Sequence, residues 1–155
     1  MTDLNDLLSP DAVLEHVSAG TRKALFQQLA AAAAAAYTLD PAVVASAVTA
    51  REKLGSTTFG AGVATPHGKV PGLAQVCGVF ARLTHPLDLD AVDDLPVDIV
   101  FMLLSPPDAG ADHLKALARV SRALRDKPLV EKLRGAASRD ALVVLLTADA
   151  VRDAA

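Results

Sequence analysis

"VDIVFMLL", residues 97–104, is the stretch that decides the fold. Apart from Asp98 it is one continuous apolar run of strand length. A strand that lacks a polar face is a central strand, covered on both sides. Upstream, residues 75–83 read as a second strand, containing Gly78, and "THPLDLDAVDDLP" (84–96) as an acidic, proline-bearing connection between the two. Downstream, "SPPDAGAD" (105–112) leads into a helix from about His113 to Arg125. The periodicity predicts Leu114, Leu117, Ser121 and Leu124 on its buried side, with Lys115, Arg119, Arg122 and Arg125 turned away. Two further helices follow, one entered through Asp126 and Pro128 and ended by Gly135, the other starting at Ser138.

Toward the amino terminus, Asp40-Pro41 is an acid N-cap followed by proline at the first helical position. That helix is expected to run to Lys53, with Gly55 ending it in a left-handed turn. Val44, Ala47, Val48 and Arg51 form one stripe along it, whereas Glu52 and Lys53 point elsewhere. Thr21 caps an earlier helix, "RKALFQQLAAAAAAAY", whose alanine run is strong helix former and nothing more. Residues 13–18 read as a short strand. With no internal repeat and no linker, the 155 residues predict one α/β domain of helices packed on a small sheet.

The net charge of −3 gives no reason to expect nucleic acid. Cys77 is the only cysteine, which excludes an internal disulfide and a cysteine-based zinc cluster; it reads as a small buried side chain. "MTDLNDLLSP" carries acids where a secretory signal needs an apolar core, and "LAAAAAAAY" is too short to span a bilayer. The expectation is a soluble cytoplasmic protein without membrane insertion.

The chemistry concentrates in "GSTTFGAGVATPHGKVPG", Gly55–Gly72. Gly55 and Gly60 match the glycines of a phosphate loop, but Ala61-Gly62 stand where that motif needs lysine and a hydroxyl residue. The dinucleotide fingerprint fails too, because the stretch follows a helix. A metal at His67 would need ligands from afar, and His16, His85 and His113 show no local metal-binding spacing. The third possibility makes His67 a nucleophile, since a neutral imidazole keeps one lone pair when its other nitrogen donates a hydrogen bond. Gly68 would clear the approach, Ser56 and Thr57 would donate to phosphoryl oxygens, and Arg51 would supply charge. His113, in the first turn of its helix, sits where the macrodipole favours an anion and disfavours imidazolium. Singly, each has a plainer role: a solvated loop histidine, an arginine satisfying the end of its helix, hydroxyls closing a turn. His16 and His85 keep that plainer role.

The combination is more specific. "REKLGSTTFGAGVATPHGK" followed by "VDIVFMLL" and "DHLKALARVSRALRD" resembles the phosphotransferase-system EIIA domain of the fructose/mannitol type, and within it the nitrogen-regulatory branch. The likeness runs from "LNDLLSPDAVL" to "ALVVLLTAD", a single domain over residues 4–149. It implies a three-layer α/β/α sandwich around a small mixed β-sheet. It implies phosphorylation of His67 by an HPr-type phosphohistidine carrier, with His113 as pocket partner, Arg51 on the phosphate, and Ser56, Thr57 and Gly68 as weaker phosphate-site assignments. No metal, nucleotide or other cofactor is required. The regulatory branch implies target proteins chosen by phosphorylation state; the alternative is a sugar-transport EIIA that passes phosphate to an EIIB domain. Whether such a carrier counts as an enzyme is left open, as a transferase forming a covalent intermediate, and so is its oligomeric state. The sequence departs from the family's habit at Thr65, and at Thr58-Phe59, which is expected to reshape the pocket rim. Exposed apolar surface near His67 is expected to dock the carrier. Arg119 and Arg122 read as a solvated basic face rather than part of it.

Overall fold

The computed structural model describes residues 3–147. Its central strand runs as expected, β6 at Val97–Ser105, with Val97, Ile99 and Val100 through Ser105 all fully buried. Antiparallel to it lies β5, Cys77–Leu87, and beyond that, parallel, β1 at Leu8–Val17. On the opposite side of β6 come three short strands: β2 (Thr58–Gly60), β3 (Val63–Ala64) and β4 (His67–Lys69). β3 and β4 both run parallel to β6, and β2 turns back antiparallel on β3. The result is a six-stranded mixed sheet.

Two strands are longer than the sequence suggested. β1 begins at Leu8 rather than residue 13, because Ser9-Pro10-Asp11 are absorbed by a register shift. β1 is an edge strand, where a proline without N–H is tolerated. β5 likewise continues through Pro86 by a register shift after Arg82. The glycine-rich stretch, which carries no strand periodicity, nevertheless supplies β2, β3 and β4. Its hairpin depends on positive φ at Gly60, Ala61 and Gly62 (93°, 57° and 80°). Gly78 is needed for a different reason: a Cβ there would collide with the Phe101 ring.

Five helices complete the described residues. α1 (Arg22–Tyr37) and α2 (Pro41–Glu52) are capped as expected, Thr21 accepting from the Ala24 N–H and Asp40 from that of Ala42. α2 stops at Glu52, Lys53 keeps right-handed angles, and Gly55 takes φ 153°, not the tight left-handed turn expected. α3 (Ala111–Leu124), α4 (Lys127–Gly135) and α5 (Arg139–Leu146) follow, with Asp126 and Ser138 capping the last two. The α1–α2 pair and the α3–α5 group enclose the sheet as a three-layer α/β/α sandwich.

α3 corrects one expectation. It buries Ala116, Val120, Ala123 and Leu124, while Leu114 is 66 % exposed and Leu117 and Ser121 only partly covered. Small residues set the seam, because they let α3 lie close on its neighbours, and a count of large apolar side chains points one face too far round. Arg119 is taken up by Asp6 (2.7 and 2.9 Å) and the Asp3 carbonyl, fastening the amino-terminal segment to α3. Among the described residues no helix is long and apolar enough to cross a membrane. The expected domain limits, 4–149, run two residues past the described part.

Candidate functional site

β4 lies close against α2, where Gly68 offers no side chain of its own. Gly68 is buried, and a Cβ on it would stand 3.0 Å from the Ala47 carbonyl carbon and 3.1 Å from the Val48 nitrogen. This glycine therefore admits the helix backbone, rather than opening a path to the histidine as the sequence suggested. Arg51 lies one turn beyond Ala47 on the same helix face, so the close approach delivers it to the site. Its Nη1 donates to the Gly55 carbonyl at 3.0 Å, which steadies the guanidinium.

Ala47, Arg51, His67, Gly68, Lys69 and His113 line one cavity of about 440 Å³. Within it the His67 and His113 rings lie 5.4 Å apart, centroid to centroid, tilted by 54°. The Nδ1 of His67 is 2.9 Å from the Thr65 carbonyl oxygen. A carbonyl can only accept, so Nδ1 carries the proton and Nε2 keeps its lone pair. Nδ1 of His113 lies 2.6 Å from the Ser105 hydroxyl at the end of β6. Burial holds the His67 pKa below the ordinary imidazole value; the Thr65 bond opposes this, Arg51 adds to it and Glu52 works against it. His113 is lowered as well, first by desolvation and then by His67 and Lys69. Both rings are therefore neutral at pH 7. α3 enters from Gly110 without a side-chain cap, unlike the other four helices, and His113 sits in its first turn.

Ser56 and Thr57 do not join this cavity. Ser56 Oγ pairs with Thr58 Oγ1 at 2.8 Å and reaches the Leu89 carbonyl at 3.3 Å. Thr57 Oγ1 donates to Glu52 at 2.7 Å, so both hydroxyls hold the loop together instead of facing the imidazoles. Glu52, expected to point away, is the anchor: its side chain is 6 % exposed, with the Arg22 Nε 4.0 Å distant. Thr65 spends its hydroxyl on the Thr57 carbonyl at 3.2 Å. Phe59 lies under Arg125 at 5.2 Å and lines a different cleft, so it does not shape the rim around His67. His16 and His85 are exposed and do not line this cavity.

Two residues of the site escaped the sequence reading, Lys69 in the cavity wall and Ser105 behind His113. Lys69 follows His67 by two, which on a strand means the same face; that signal existed only for a reader who saw β4. Ser105 closes the apolar run of β6, and nothing local marks its partner eight residues on. Among the described residues no three His, Cys, Asp or Glu side chains converge to hold a metal ion.

The family described as "Phosphoenolpyruvate-dependent sugar phosphotransferase system, EIIA 2" matches residues 6–148. The chain belongs to this EIIA family. It is 48 % identical over 141 residues to a nitrogen regulatory protein of Bradyrhizobium diazoefficiens, covering 91 % of each chain. Against the nitrogen regulatory protein of Escherichia coli the identity is 37 % over 145 residues, with 93 % of this chain and 89 % of the relative covered. The crystal structure of nitrogen regulatory protein IIA-Ntr from Neisseria meningitidis superposes with a TM-score of 0.85 at 34 % identity, over 92 % of this chain and 97 % of that one. This EIIA domain thus has its histidine pair, arginine and lysine on the scaffold that its nitrogen-regulatory relatives share.

Proposed function

We propose that this EIIA domain is a nitrogen-branch regulatory phosphocarrier of the cytoplasm, which accepts a phosphoryl group on His67 from an HPr-type phosphohistidine carrier and binds target proteins according to its phosphorylation state. The observation that carries this reading is the pairing of a free Nε2 lone pair on His67 with Arg51, Lys69 and His113 around one cavity. The relatives named as nitrogen regulatory proteins support the regulatory branch.

In the transfer, Nε2 of His67 forms a bond to phosphorus as the carrier's N–P bond breaks. The electron pair of that bond returns to the carrier's ring nitrogen. Each ring keeps the proton on its other nitrogen, that of His67 held by the Thr65 carbonyl. Arg51 and Lys69 meet the charge on the equatorial oxygens, and the N–P bond changes hands with no group required beyond the two imidazoles. Leu114, exposed directly beside His113, is apolar surface for the carrier to cover.

Incubation with phosphoenolpyruvate, the first enzyme of the system and an HPr-type carrier should give an acid-labile phosphate on the wild type and none on His67→Ala. A His67→Ala protein that labels as well as wild type overturns the assignment. Rapid draining of the label by an EIIB with its sugar would move the function from regulation to transport.

A further inference from the structure

We propose that Ser105 is a positioning residue that fixes His113 in its Nε2–H tautomer, so that His113 faces the phosphoryl group as a hydrogen-bond donor while His67 faces it as the nucleophile. The inference deepens the proposed function and rests on it for the word phosphoryl, but the tautomer itself is independent of any transfer.

Ser105 ends β6 and is fully buried. Among the described residues its hydroxyl has one partner, Nδ1 of His113 at 2.6 Å. A hydroxyl can donate or accept, and a ring nitrogen can do either, so the distance alone allows two arrangements. Burial separates them. If Nδ1 carried the proton, the hydroxyl would have to accept, and its own hydrogen would be left without an acceptor inside the protein. If the hydroxyl donates, its hydrogen is satisfied and Nδ1 is the acceptor. The proton of neutral His113 then sits on Nε2.

His67 is held the opposite way, because its Nδ1 faces a carbonyl that cannot donate. The two imidazoles are therefore complementary. Two lone pairs facing the cavity would repel an incoming anion, and two N–H groups would leave no nucleophile. The buried hydroxyl and the backbone carbonyl set one of each. Since β6 and β4 pair in register, His67 beside Leu103 and Lys69 beside Ser105, the Ser105 anchor and the backbone that carries His67 belong to one ladder.

Long-range proton–nitrogen NMR of the 15N-labelled protein at pH 7.5 reads both tautomers directly. The expected spectrum has His113 protonated on Nε2 and His67 on Nδ1. In Ser105→Ala, His113 should shift toward the Nδ1–H form while His67 stays unchanged, and uptake of phosphate from an HPr-type carrier should slow about tenfold. Ser105→Thr keeps the hydroxyl and should restore the wild-type signature. A wild-type His113 protonated on Nδ1, or a tautomer that Ser105→Ala does not move, overturns the proposal, and the wild-type spectrum decides even if the variants fold poorly. A protein with the expected spectrum that takes up no phosphate would count against the proposed function alone.

Discussion

The two ends of β6 hold two cavities of opposite character. At the carboxyl end lies the histidine site of about 440 Å³; at the amino end lies a larger cleft of about 660 Å³. Phe59, Leu95, Leu124 and Val130 line the larger one, and Arg134 crosses its wall. Arg134 is bidentate on Asp98, Nε to Oδ2 and Nη2 to Oδ1 at 2.9 Å each, and Nη2 also donates to the Ala61 carbonyl at 2.7 Å. Asp93 takes the Ala61 N–H at 2.8 Å. The polar groups there are committed to holding the β2–β3 turn onto α4. At the histidine end, among the described residues, the Nε2 of each imidazole and the Lys69 ammonium have no hydrogen-bond partner, and Arg51 spends only Nη1. Room does not locate chemistry; unspent hydrogen-bonding capacity does.

Substitutions should separate the two ends. Short of removing the nucleophile, the largest effect belongs to Arg51→Ala, which should slow phosphoryl uptake about 100-fold through lost stabilisation of the transferring group. Its melting temperature should stay near that of wild type, because Arg51 gives the fold one hydrogen bond. Equal uptake rates in a labelling time course would remove Arg51 from the chemistry. Arg134→Ala should do the reverse, costing about 1–3 kcal/mol in urea unfolding, discounted from a fully buried pair because both partners are partly exposed. Uptake by the folded protein should be unaltered. A slowed uptake would mean that the ends communicate through β6 or α3.

The smallest effect is that of pH. Both imidazoles have folded-state pKa values below the ordinary 6.5. Between 6.5 and those lowered values the unfolded chain binds protons that the folded chain refuses, so stability falls with falling pH. It is unaffected by these groups above 6.5. Thermal unfolding at pH 7.5 and 5.5 should show an acid loss that shrinks in His67→Ala. The acid limb of phosphoryl uptake should have its midpoint below 6.5, and a midpoint above that value would contradict the neutral rings.

Local signals were legible wherever the physics is local. Thr21, Asp40, Asp126 and Ser138 cap the helices assigned to them, because a cap needs only the next turn of its own chain. β6 was legible because burial on both faces removes polar residues from the strand itself. The strands inside the glycine stretch were not, since β2, β3 and β4 are each two or three residues long and exist only by pairing with one another and with β6. On α3 the expected buried side held at Leu124 and in part at Leu117 but failed at Leu114, which side-chain size alone had placed inside, and Ser56 and Thr57 were misjudged by assuming that hydroxyls near a nucleophile must serve it.

The sequence by itself determined the α/β class, the family and the residues His67, His113 and Arg51 as candidates, because capping, apolar runs and a dense motif act over a few neighbouring positions. Only the tertiary structure decided which hydroxyl meets which imidazole. Ser105 reaches His113 across the turn from β6 into α3, and Thr57 turns back to Glu52 at the end of α2; residues five and eight positions apart meet only because the elements fix the direction of each side chain.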